Sequence, residues 1–334
     1  MHLTQIHSAA YDSAMHVRSP EGDQSREAAG FLWAAAFVLL AAVRDVYLGG
    51  LFQRVTPLLI AIVAFSLCTI VFLPMALVGS RASLAVLRQR AGGLLWVNIT
   101  TAGAWLGFLY ALKLIEPTVV QILYSGIGPL SVVWIARNFS ADGPGVRLSR
   151  SERFALLALL AALVFSAVIV LAGLSGVAGG SVGDAALGVI LAAGGGVAIS
   201  VATMLCRKLN DAGVTPSALL ALRFPVTAAS ALTVLALSPS GLPAAASWLD
   251  AVLGIAALLI VLASFVNQIA ISLASPLTVR VVLAAGPVLI FFLQMIEGRL
   301  AASPYSLIAA TLYAFAAMAA AIARQRAIRA TALH

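Results

Sequence analysis

The 334-residue chain is 62% hydrophobic and only 10% charged, with a formal net charge of +8. A soluble globular domain carries about 25% charged residues, so the composition excludes an ordinary water-soluble fold. The excess of cations calls for no nucleic acid, because arginines gathered at the ends of apolar segments account for it.

The first 28 residues, with His2, His7 and His16, are polar and read as a cytoplasmic tail. The apolar stretch that follows is too long for a signal-peptide core. A bilayer core about 30 Å thick takes roughly 20 apolar residues per helix. Lipid offers no partner to free backbone groups, so each such segment is helix or closed barrel. The short alternating strands of a barrel are missing. Ten spans are predicted, over 29–50, 56–78, 92–113, 117–137, 154–174, 185–206, 217–238, 251–272, 277–298 and 303–324. The expected fold is therefore an all-α polytopic membrane protein. A basic tail, 325–334, follows the last span.

The chain contains one half twice. "TPLLIAIVAFSLC", from Thr56-Pro57, is echoed by "TPSALLALRFPVTA", from Thr215-Pro216. "YALKLIEPTVVQILYSGIGPL", with Pro117, is echoed by "IAISLASPLTVRVVLAAGPVL", with Pro276. Both proline anchors are offset by 159 residues, since 216 − 57 and 276 − 117 agree. The halves are 29–174 and 185–324, five spans each, joined by a Gly-rich loop over 174–184. An odd number of spans per half inserts the second half upside down. Inverted repeats of this kind underlie alternating access in transporters. With the N-terminus cytoplasmic, 14 of the 20 Lys and Arg fall inside, 4 outside and 2, Arg223 and Arg280, within spans. That split places both termini in the cytoplasm.

In chain order, the first span carries Arg44-Asp45 toward its outer end. Neighbouring helix positions point about 100° apart, so these two are expected to seek separate partners. On the third span Asn98, Thr101 and Trp105 share a face. On the fourth, Gln121, Tyr124, Ser125 and Gly128 do so. Gly128-Pro129 is expected to interrupt the fourth span and Gly286-Pro287 the ninth, a paired interruption that points to a transport site. "AGGGVA" over 193–198 lacks the lysine of a phosphate loop and reads as a close helix contact. Ser264, Asn267 and Gln268 cluster on the eighth span. Arg280, Pro287, Phe291 and Gln294 share a face of the ninth. Such polar faces turn inward, to bind substrate or to hydrogen-bond a neighbouring helix. Arg223 and Arg280, a turn or two inside their spans, either snorkel to headgroups or hold an anion such as a carboxylate. No carboxylate or histidine is expected at mid-membrane. Ion coupling then falls to Asp45 or Glu297 near the outer ends, or is absent.

No cofactor or metal is expected. Cys68 and Cys206 form neither a disulfide framework nor a metal set, and no phosphate loop or catalytic triad is present. The Asn-x-Ser/Thr matches at Asn98 and Asn138 fall in a span and a cytoplasmic loop. A membrane-embedded enzyme or assembly subunit would need a reactive constellation, and none is visible.

The segments "ALKLIEPTVVQILYSGIGPL" and "AISLASPLTVRVVLAAGPVLIFFLQMIEGRL" resemble the EamA-type domains of the drug/metabolite transporter superfamily. The resemblance covers about residues 30–325. Ile296-Glu297-Gly298-Arg299 is similar to the family's Gly-Glu repeat end in reversed order. Arg223 matches an arginine common in the second helix of a repeat. The first half departs from this pattern, with Ala64 at the position of Arg223 and Asn138-Phe139-Ser140 followed by a loop through Asp142. The resemblance implies a secondary transporter of the bacterial inner membrane, exporting an amino-acid-like compound, an amino-acid-derived metallophore or a drug. The alternative it implies is import of a vitamin or nucleotide-type metabolite. Its partners would be a small-molecule substrate and the lipid bilayer. Candidate binding residues are Arg280, Arg223, Gln121, Tyr124, Trp105, Asn98, Asn267 and Gln294.

Overall fold

The computed structural model describes residues 20–79, 81–139, 148–177, 180–239, 251–274 and 276–332. His2, His7, His16 and Asp142 lie outside them, as does the side chain of Asn138. Among the described residues the chain is helical, and ten helices are long and apolar enough to cross a membrane. These spans are Glu27–Leu51, Pro57–Gly79, Ala91–Leu114, Pro117–Ile135, Arg150–Leu171, Val182–Asp211, Pro216–Ala236, Val252–Ile271, Leu277–Glu297 and Pro304–Ala327.

The helix ends follow from residue chemistry. Proline lacks an N–H and has its φ set for a helix, so it suits the first turn. Pro57, Pro117, Pro216 and Pro304 each begin a span. Ser149 and Glu152 form a capping box at the fifth span, and Ser181 accepts from the Asp184 N–H at the sixth. Gly173, Gly213 and Gly298 follow helix ends with positive φ, where a side chain would be strained. The first helix begins at Pro20, inside the predicted polar tail. The sixth begins at Val182, inside the predicted 174–184 loop.

The main packings come in matched sets. The third span packs on the sixth, and the eighth on the first. The fourth packs on the sixth, and the ninth on the first. The second meets the seventh, the fourth the ninth and the fifth the tenth. Adding five to each span number, counted cyclically, maps these pairings onto one another. Lipid gives helices no hydrophobic reason to associate, so close backbone approach has to do it. A Cβ on Gly107 would sit 2.9 Å from the Leu191 carbonyl, and one on Gly195 3.0 Å from that of Ala104. Gly196 lies against the Tyr124 backbone with no room for a Cβ. The glycine run thus seats the sixth span on the third and fourth. Large apolar side chains such as Ile70, Phe154, Ile190 and Phe315 cover the outside.

The bundle has two chemically distinct ends. One carries the loops around Phe52, Glu116, Gly176 and Arg299. The other carries Arg81, Arg88, Arg90, Arg150, Arg207 and Arg324. We call them the Glu116 end and the arginine end. At the arginine end a short helix not anticipated from the sequence, Arg81–Gln89, docks on the loop between the sixth and seventh spans. The Thr215 N–H donates to Ser83 Oγ at 3.0 Å there. At the same end Arg324 reaches buried Glu152 at 3.2 Å, tying the tenth span to the fifth.

Candidate binding site

The seventh span is broken, and the break creates the site. Pro225 has no N–H to continue the helix, so the span divides into Pro216–Leu222 and Pro225–Ala236. Asn98, from the third span, fills the gap. Its Nδ2 donates to the Leu222 carbonyl at 2.7 Å and its Oδ1 accepts from the Val226 N–H at 3.3 Å. Those two groups would bond each other in an unbroken helix, so the amide is inserted into the ladder. Asn98 is therefore committed to the backbone. It holds Arg223 and Phe224 at the break.

Arg223 lies over the Phe224 ring, 5.1 Å from its centroid, and reaches Thr101 Oγ1 at 3.5 Å. Its Nε is buried without a partner. Phe224 stacks on Phe65 at 4.9 Å with 19° between planes. These two residues are themselves 159 positions apart, the repeat offset. Phe65 meets Trp105 edge-on at 5.1 Å, Trp105 meets Phe108 at 5.9 Å, and Phe108 meets Tyr124 at 4.7 Å. Five rings thus form a continuous aromatic wall through the middle of the bundle.

Further along that wall lies a second arginine. Arg44 is 5.5 Å from the Trp105 centroid and 5.6 Å from that of Phe108, within cation–π range. Contrary to the expectation from helix geometry, Arg44 pairs with its neighbour Asp45. Its Nε and a terminal nitrogen both bond Asp45 Oδ1 at 2.7 Å. The 100° rule describes where Cβ atoms point, whereas the flexible arginine stem curls around the helix. Both residues are buried, with Asp45 0% exposed, so water offers no competing partner. Asp45 Oδ2 is buried without a partner. Tyr124 lies within electrostatic reach of Arg223, Arg44 and Asp45.

The structure brings Arg223, Trp105, Tyr124 and Asp45 together, with Asn98 as the support of the break. Other candidates lie elsewhere. Gln121 is half-buried, one turn before Tyr124. Asn267, half-buried with Oδ1 unpartnered, sits near the arginine end of the eighth span. Arg280 is exposed at the arginine end of the ninth, in the field of Arg207 and Arg324. Glu297 is at the rim of the Glu116 end, 3.3 Å from Arg299. Gly286-Pro287 does divide the ninth span, into Pro276–Ala284 and Gly286–Glu297. Gly128-Pro129 does not divide the fourth, which runs unbroken from Pro117 to Phe139. A membrane helix absorbs a proline when its surroundings and small local adjustments compensate the one backbone group it frees. Here that group is the Ser125 carbonyl, four residues before Pro129.

Gln294 belongs to a separate buried network at the Glu116 end. Glu116 is 0% exposed and has no cation beside it among the described residues. Its Oε2 accepts from the Gly176 N–H at 2.8 Å and from Ser306 Oγ at 2.6 Å, while Gln294 Nε2 donates to Oε1. Thr118 Oγ1 donates to Gln294 Oε1 at 3.0 Å. One carboxylate from the first half thus joins the linker to the ninth and tenth spans of the second. Phe65, Phe108, Phe224 and Arg44 were not among the sequence candidates. The signal available was that Phe65 and Phe224 share the repeat offset.

No family model and no curated protein matches the chain. A solved structure, described only as the crystal structure of a protein, aligns over 90% of this chain and 98% of its own. The identity is 24% and the TM-score 0.58, a likeness of fold.

Proposed function

We propose that the protein is a secondary transporter that exports a small amino-acid-like metabolite across a bacterial inner membrane, with both termini cytoplasmic. The observation that carries this reading is Arg223. A guanidinium at a helix break deep in a ten-span bundle, with Nε unpartnered and an aromatic wall beside it, is costly unless an anion visits it. A substrate carboxylate is the fitting anion, since it accepts two donors from a guanidinium fork.

The matched span packings and the contact of Phe65 with Phe224 support reading the halves as an inverted repeat working by alternating access. The EamA-like segments and the arginine end agree with that class and with the proposed orientation. On that reading a pseudo-two-fold axis would pass through the Phe65–Phe224 stack.

The test is counterflow in proteoliposomes containing only this protein, with a panel of labelled amino acids. Export-type exchange is expected for a subset of the panel. Arg223→Ala is expected to abolish it while the protein still purifies as a folded species. Unchanged flux in that variant would remove Arg223 from the site. Activity only with vitamins or nucleotides would replace the amino-acid reading.

A further inference from the structure

Among the described residues, four buried side-chain atoms lack any hydrogen-bond partner: Asp45 Oδ2, Arg223 Nε, Thr227 Oγ1 and Asn267 Oδ1. Two of these belong to charged groups of opposite sign, and both lie along the same aromatic wall. A buried charged group that keeps one polar atom unserved is costly for a fold to hold. Arg223 already has its explanation in a substrate carboxylate. Asp45 does not.

Asp45 is oriented so that one oxygen stays available. The two Arg44 nitrogens that reach Asp45, Nε and one terminal nitrogen, both bond Oδ1, and Oδ2 is left without a partner. Arg44 itself is pinned over Trp105 and Phe108, so it is not free to move across to the second oxygen. What remains is a fixed acceptor beside the rings of Trp105 and Phe108, on the wall whose Phe224 end carries a fixed donor.

We infer that Asp45 is a second charged subsite on the same aromatic wall and receives the substrate's ammonium group, so that the cargo binds as a zwitterion. This rests on the reading of Arg223 as the carboxylate site. The nearby Arg44 does not cancel the attraction. An ammonium about 3 Å from Oδ2 would lie roughly 6 Å from the guanidinium across the carboxylate. Coulomb energy falls as 1/r, so attraction exceeds repulsion by about twofold. Tyr124 and the apolar rings between the two ends would pack the substrate's carbon skeleton. The other charged residues on elements that meet the first span, Lys113, Arg137, Arg280 and Glu297, fall near the ends of their helices.

The inference is tested by calorimetric titration of the purified full-length protein with two matched pairs of probes. These are leucine against 4-methylpentanoate and phenylalanine against 3-phenylpropionate, each pair differing only in the ammonium. The amino acid of at least one pair is expected to bind ten-fold or more tightly than its des-amino partner. In Asp45→Asn the ratio of the two affinities within that pair should fall to near one, with measurable binding of the des-amino acid reporting a folded protein. Should Asp45→Asn fail to fold, the wild-type comparison decides alone. Equal affinity within both pairs would overturn the Asp45 subsite and leave Arg223 standing. Binding of none of the four probes would remove the Arg223 reading along with it.

Discussion

Replacing Glu116 by alanine removes one acceptor group from three donors at once. Gln294 Nε2, the Gly176 N–H and Ser306 Oγ all point at this carboxylate. Ser306 can turn its hydroxyl toward the carbonyls of Ala302 and Ser303 just ahead of its helix, but the other two donors have no such escape. A buried donor left unpaired costs about 1–3 kcal/mol. Against this, the carboxylate is buried without a cation, and deleting it relieves a desolvation cost. The net loss is expected near the lower bound, about 2 kcal/mol, which is about a thirty-fold change in an equilibrium constant. Because the network joins the first half to the second, that change should appear as opening at the Glu116 end. Ile122, fully buried one turn beyond Thr118 on the fourth span, is a suitable reporter. With Cys68→Ala and Cys206→Ala as background, an Ile122→Cys protein should react with a membrane-impermeant maleimide faster when Glu116→Ala is added. Its melting temperature should also fall. Glu116→Gln keeps the volume but turns an NH₂ toward a donor, so it should lie between wild type and alanine. If Glu116→Ala changes neither the labelling rate nor the melting temperature, the network does not hold the halves together.

Asn98→Ala should leave the Leu222 carbonyl and the Val226 N–H unserved, costing about 1–3 kcal/mol per group. Thermal unfolding reads the stability loss, and weakened ligand binding should accompany it because Arg223 is displaced. Gly196→Ala should drive a methyl group into the Tyr124 backbone, an overpacking penalty of about 1–3 kcal/mol visible as lower melting temperature or yield. Gly194→Ala, which meets nothing within 4 Å, is the matched control and should be neutral. Arg280→Ala should keep ligand binding, since Arg280 is exposed at the arginine end. Loss of binding equal to that of Arg223→Ala would place it in the binding site.

Long-range composition and proline chemistry made most of the helical plan legible beforehand. The ten spans and the packing role of the glycine run at 193–198 need only local rules, hydropathy and the absence of a Cβ. Local rules failed where a side chain's reach or a neighbour's hydrogen bond decides. Arg44 and Asp45 pair because a flexible stem spans the angle between them. The fourth helix survives Pro129 while the seventh breaks at Pro225, and Asn98 occupies the second gap from another span. Periodicity put Gln294 on an inward face, yet nothing in its own helix reveals that Glu116, 178 residues away, is its partner.

By itself the sequence determined an all-helical membrane bundle with a 159-residue internal echo, because hydropathy and repetition are written along the chain. Only the tertiary structure decided which inward-facing polar groups meet one another. It set apart Arg223 and Asp45, left with open valences along one aromatic wall, from Asn98, Glu116 and Gln294, whose hydrogen bonds are spent on the fold. The physical reason is that a polar group's availability depends on every donor and acceptor within about 3 Å of it, and those come from segments far apart in the chain.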